Sequence, residues 1–207
     1  MELEGIAMNL RKLLPCLAAI AVALCAAGGV RAAAIVNGDF GTGNLTGWSA
    51  SSWGGPGGVG VVTSPAPPDG TYCASLWAGP NGTSQLVTGN TQGFYAHVGD
   101  VLSFEYQGTY TAGESGLSAK VIGSGGYGGG YLLYPPGNSV QALSSQWQSA
   151  SFQFGASGIY YLDFEVQEAA LGQIDFYVAD VQLTPEPASM GLLAAGLGAL
   201  LIRRRIG

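Results

Sequence analysis

The chain has 207 residues, with 35 Gly, 10 Pro, 47% hydrophobic and only 10% charged side chains. That apolar content excludes intrinsic disorder, and the scarcity of Glu, Lys and Arg excludes a long coiled coil. No Gly-X-Y register runs through the chain, which excludes collagen. Long apolar runs occur only at the two ends, which excludes a polytopic membrane protein.

Residues 1–34 read as a secretory signal. Arg11 and Lys12 form a basic start, Leu13 to Ala27 an apolar stretch, and Val30-x-Ala32 or Ala32-x-Ala34 a small-x-small cleavage site. Residues 35–184 remain as the mature part, long enough for one domain with its own core. Lys120 is its one basic side chain, set against ten carboxylates. Binding of nucleic acid through a basic patch is therefore excluded, and acidic polysaccharides would be repelled. Cys73 is the only mature cysteine, which leaves no partner for an intrachain disulfide. It reads as a small buried apolar residue.

Short runs rich in Val, Ile, Thr and aromatics recur between Gly, Pro, Asn and Asp punctuation. Strands are expected over Ala34–Phe40, Thr46–Trp53, Val59–Thr63, Tyr72–Trp77, Ser84–Thr88, Val101–Gln107, Leu117–Ile122, Gly130–Tyr134, Gln146–Phe154, Ile159–Gln167 and Ile174–Leu183. Tyr160, Leu162, Phe164 and Val166 share one face of their strand, and Tyr161, Asp163 and Glu165 the other. In the last strand Ile174, Phe176 and Val178 are even but Val181 and Leu183 odd, which predicts a bulge near Ala179-Asp180. Many short strands without a helical period predict an all-β fold, a single β-sandwich of jelly-roll type.

The final segment, 185–207, opens on Pro185-Glu186-Pro187. Ala188 to Ile202 follows without a charge, then Arg203, Arg204 and Arg205. At 1.5 Å per residue the run covers roughly 22 Å, a short transmembrane helix whose arginines snorkel to the cytoplasmic side. This order of motif, helix and basic cluster resembles the PEP-CTERM sorting signal of Gram-negative bacteria. The resemblance implies a Sec-exported protein held transiently in the inner membrane. An exosortase would then process it and deliver the domain to the cell surface or outside.

The middle resembles the galactose-binding-like jelly roll of many carbohydrate-binding modules. The resemblance rests on Asn37-Gly38-Asp39-Phe40 with Leu45-Thr46-Gly47-Trp48, on Gly99-Asp100-Val101-Leu102-Ser103-Phe104, and on Ile174-Asp175 with Asp180-Val181-Gln182-Leu183. Related jelly rolls hold a structural calcium ion where first and last strands meet. The matching acids here are Asp39 and Asp180, although Gly41 stands where relatives carry Glu.

Little in the chain suits catalysis. His97 is the only histidine and has no placed partner for a triad. Asp163 and Glu165 sit two apart on one strand face and read as a solvated polar surface. Exposed aromatic rings could stack on sugars. Trp53 and Trp77 adjoin Gly/Pro-rich loops, and Tyr127 and Tyr131 flank a Gly run, so these four form a candidate platform, while Trp48 and Trp147 read as core or its rim. The leading expectation is a non-enzymatic surface or matrix protein associated with exopolysaccharide or biofilm. The alternative is a carbohydrate-binding module for a neutral glycan, and a glycoside-active enzyme comes third.

Overall fold

In the computed structural model, alternation along the chain turns apolar side chains inward from two facing antiparallel sheets. The structure describes residues 35–88, 93–111, 115–124, 130–133, 143–169 and 171–185. The secretory signal, Tyr127, Glu186, Pro187, the apolar tail and Arg203–Arg205 lie outside the described residues.

Eleven strands follow in chain order: β1 Trp48–Gly54, β2 Gly57–Val62, β3 Cys73–Ala78, β4 Gly82–Thr88, β5 Phe94–Ala96, β6 Val101–Tyr110, β7 Ser115–Gly123, β8 Gly130–Leu133, β9 Gln148–Gln153, β10 Gly158–Glu168 and β11 Ile174–Thr184. One sheet runs β1-β4-β10-β7-β8, with β5 also paired to β10; the other runs β2-β3-β11-β6-β9. Every pairing is antiparallel. The architecture is the all-β sandwich expected from the strand spacing.

The core lies between the sheets. Phe164 of β10 bridges them, its ring centroid 5.0 Å from Phe104, 6.0 Å from Phe176 and 6.2 Å from Trp48. Leu76, Leu86, Leu102, Leu162 and Ile174 fill in around it, all fully buried. Offset and edge-on aromatic pairs of this kind add to plain area burial.

Two differences from the sequence reading have clear causes. The opening segment is a knot of turns, not a strand. Asn37 and Phe40 sit at φ +52° and +53°, left-handed conformations that Asn tolerates and Phe seldom adopts. The Asn37 side chain holds them there: its amide donates to the carbonyls of Asn44 (2.8 Å) and Thr46 (3.2 Å), and its oxygen accepts from Thr42 N–H (3.2 Å). The indole of Trp48 in turn donates to the Asn37 carbonyl at 3.2 Å. This knot carries Phe40 into the core beside Trp48, 5.3 Å between rings. The second difference is β5, a three-residue strand too short to show a period.

The bulge in β11 is present. Pairing with β6 slips between Ala179 and Gln182, and Asp180 sits at φ +50°. The extra residue lets Val178 and Val181 both turn inward. Gly38 docks against this irregularity, its carbonyl accepting Val181 N–H at 2.9 Å. A Cβ at Gly38 would lie 2.0 Å from the Val181 oxygen, so only glycine permits the approach.

Candidate functional site

The outward face of the six-stranded sheet carries the side chains opposite in phase to the core. In register across four strands lie Ser51 of β1, Gln85 of β4, Glu165 of β10 and Ser118 of β7. The neighbouring row is Ser49, Val87, Asp163 and Lys120, with Tyr131 of β8 paired beyond Lys120. The row on the other side is Trp53, Thr83, Gln167 and Gly116. Rows lie about 7 Å apart and strands about 4.8 Å apart.

A single polar network ties this face together. Lys120 Nζ sits 3.0 Å from Asp163 Oδ2 and 3.6 Å from Glu165 Oε2. The Gln85 amide donates to both Asp163 oxygens at 3.1 and 3.0 Å, and Ser51 Oγ donates to the Gln85 oxygen at 3.5 Å. Asp163 is buried, with 3% of its surface exposed. The solvated polar surface read from sequence is thus corrected. β10 is a central strand, and long side chains on both neighbours close over its middle. Burial pulls Lys120 toward neutrality, but hydrogen bonding and charge from Asp163 and Glu165 outweigh it and raise its pKa. The ammonium and the amide leave Asp163 little freedom to act as a catalytic acid or base. What reaches solvent is the Ser51 hydroxyl and parts of Gln85, Lys120 and Glu165, held in place around the buried Asp163.

Aromatic and apolar side chains border the array. Trp53 is 48% exposed, one row away from Gln85 and Glu165. At the other end Tyr95, Ile122 and Ile159 are exposed, Ile159 pairing with Tyr95 and Ile122 with Tyr161. Tyr95 packs edge-on against His97, 4.9 Å between rings. The His97 imidazole is 3.5 Å from the Asp100 carboxylate, which also accepts the His97 backbone N–H. Its surroundings are those of a loop fastener. Tyr95 was not anticipated from sequence, because β5 was not.

Of the candidate platform, Trp53 and Trp77 do not share one surface. Trp53 belongs to the outward face of the six-stranded sheet. Trp77 lies between the buried Leu76 and Ala78 of β3, and so points outward from the five-stranded sheet. The β1–β2 and β3–β4 turns interlock at the corner between them, Gly55 N–H donating to Asn81 O (2.7 Å) and Gly79 N–H to Pro56 O (2.8 Å). Sequence adjacency to the same two loops placed both rings near one corner but could not say on which side. Trp48 is core, as read, and Trp147 is half-buried with its indole donating to Ala66 O at 2.8 Å.

The proposed calcium pair fares differently. The Gly38–Val181 bond does bring the Asp39 and Asp180 segments together. Asp39, however, is exposed and accepts its own Gly41 N–H at 3.0 Å, and Asp180 is taken up by the Gln182 amide. Among the described residues no three His, Cys, Asp or Glu side chains converge. Calcium asks for six to eight oxygens, more than the Asp39 and Asp180 carboxylates supply, and no role is built on it. Cys73 is fully buried, its thiol near the carbonyls of Val62 and Pro65, and burial pushes its pKa up to about 11. It is inert, as its apolar reading implies.

Comparison with known proteins places this geometry in context. No protein-family model matches the chain, and no curated protein matches it in sequence. Solved structures do match. The carbohydrate-binding module TmCBM61, determined with β-1,4-galactotriose, is 18% identical over 75% of this chain and 99% of its own, with a TM-score of 0.50. A structure of promiscuous carbohydrate-binding modules from the β-sandwich superfamily is 14% identical over 70% of this chain and 60% of its own, also at 0.50. At such identities the likeness is one of fold: the domain has the β-sandwich jelly-roll architecture of carbohydrate-binding modules.

Proposed function

We propose that the domain is a non-catalytic carbohydrate-binding module that holds a neutral glycan on the outward face of its six-stranded sheet. The observation that carries this reading is the fixed Ser51–Gln85–Asp163–Lys120–Glu165 array beside the exposed Trp53 ring. Sugar hydroxyls need donors and acceptors in set positions, and the C–H face of a pyranose needs an apolar π-surface. Both are here, and their side chains are held before a ligand arrives, which lowers the ordering cost of binding. The near absence of cations argues for a neutral ligand. The fold shared with carbohydrate-binding modules supports the reading, and β-1,4-linked galactose oligomers such as the galactotriose bound to TmCBM61 join the candidates.

The setting we propose is outside the cell. The signal-like start and the Pro185-Glu186-Pro187 tail with Arg203–Arg205 support Sec export, a transient stay in the inner membrane and processing by an exosortase. Mass spectrometry of the extracellular protein tests this through its two termini. Binding in that setting would attach the domain to exopolysaccharide or biofilm matrix.

Binding is tested by calorimetry of the purified chain against soluble β-1,4-galactan, mixed-linkage β-glucan, arabinoxylan and dextran, with polygalacturonate as the acidic control. At least one neutral polymer should bind and the control should not. Trp53→Ala, which removes the stacking ring, should abolish detectable binding at this face, and Glu165→Gln should weaken it about tenfold, the loss of one charge-assisted hydrogen bond. Unchanged affinity in both variants would remove this face from consideration.

A further inference from the structure

The separation of Trp53 and Trp77 has its own implication, which rests on the carbohydrate-binding reading above. We infer that the outward face of the five-stranded sheet is a second glycan site, built on Trp77, Asp175 and Thr109, so that one domain joins two glycan chains.

Gly58 of β2, Trp77 of β3, Asp175 of β11 and Thr109 of β6 lie in one register row across that face. The Trp77 ring lies over Gly58: a Cβ added there would be 2.7 Å from the indole Nε1 and 3.3 Å from Cε2. The bare glycine lets the indole lie down on the sheet, and 36% of the residue remains open to solvent. Its partner Asp175 is held rigidly. The Gln173 amide donates to both of its oxygens, at 3.0 and 2.9 Å. Gln173 is itself pinned to Thr111, receiving its backbone N–H at 2.8 Å and donating its own to the Thr111 hydroxyl at 2.8 Å. A π-surface, an oriented carboxylate and the exposed Thr109 hydroxyl thus stand at successive strand spacings of about 4.8 Å. One pyranose ring stacked on Trp77 would present its edge hydroxyls to Asp175.

Part of this face is covered. The thiol of Cys73 is covered by Val62 and Pro65, and Trp147 reaches across to Ala66. The Trp77 row lies at one end of the sheet. Lys120, the only base of residues 35–184, belongs to the other sheet. An anionic polymer would find only carboxylates here, which selects a neutral glycan. The two faces point away from each other across sheets packed about 10 Å apart. A single extended chain cannot lie on both, so double occupancy means two chains or two distant stretches of one.

The test uses the purified chain and the panel polymer it binds most tightly. Calorimetry with a hexasaccharide of that polymer should give two sites per chain, and mixing with the polymer itself should produce turbidity. Trp53→Ala and Trp77→Ala should each leave one site and abolish turbidity, and the double variant should bind nothing. Gly58→Ala, which lifts the ring without removing it, should weaken only the site lost in Trp77→Ala. One site in the wild type, with Trp77→Ala and Gly58→Ala silent, overturns the second site and leaves the first standing. No binding by any variant overturns the carbohydrate reading and this inference together.

Discussion

Lys120 is the residue on which the polar face turns. It pairs with a buried Asp163 at 3.0 Å and with an adjacent Glu165 at 3.6 Å, with 23% of its own side chain exposed. Replacing one partner of a buried ion pair strands the other, which is costlier than the pair is worth. Lys120→Met should therefore destabilise the domain by about 2 kcal/mol, a figure set below the fully buried case because the ammonium still meets water. The pH dependence has a definite sign. The folded-state pKa of Lys120 is raised above its ordinary 10.5. Its contribution is therefore complete below pH 10.5 and is lost as pH climbs through the raised value. Urea titrations of wild type and variant should differ by a constant amount at neutral pH and converge in strong alkali. A gap that stays constant into strong alkali would contradict this account.

At the scale of elements, the opening knot and the β11 bulge form one joint. Gly38 touches Val181, Asn37 fastens the turns, and Phe40 and Trp48 plug the core beneath. Gly38→Ala would drive a methyl group into the Val181 carbonyl and break the bond between the two segments. The expected cost is about 2 kcal/mol or more, read as a lower urea midpoint with an unchanged slope. A variant as stable as wild type would show that the joint is ornamental. Much of this level was legible in the sequence. The odd-even phase change after Val178 announced the bulge, and ten of the eleven strands follow from alternation and turn residues. Asn37-Gly38-Asp39 misled, because its side-chain hydrogen bonds come from residues up to nine positions away. Asp163 misled for another reason. Alternation gives the face on which a residue lies but not which neighbours lean over it. The separation of Trp53 from Trp77 was likewise invisible, since a chain crossing from one sheet to the other leaves no periodic trace.

On the scale of the whole molecule, order along the chain and order in space disagree. β10 and β11 come last, yet each occupies the middle of its sheet. β10 pairs with β4, β5 and β7, and β11 with β3 and β6. A chain truncated after Gln153 would keep nine strands and lose the partner that joins them. It should show neither a cooperative urea transition nor near-ultraviolet circular dichroism, whereas removal of Glu186–Gly207 should preserve both. A cooperative transition in the shorter fragment would mean that the early strands make a core of their own.

The central placement of the two late strands also governs when the domain can take shape. Synthesis delivers the amino end first, and threading through a narrow channel would do the same. Until residues 158–184 arrive, the strands that flank them have no ladder to join, and contacts so distant along the chain form slowly. The topology thus defers closure of both sheets until the last two strands are available.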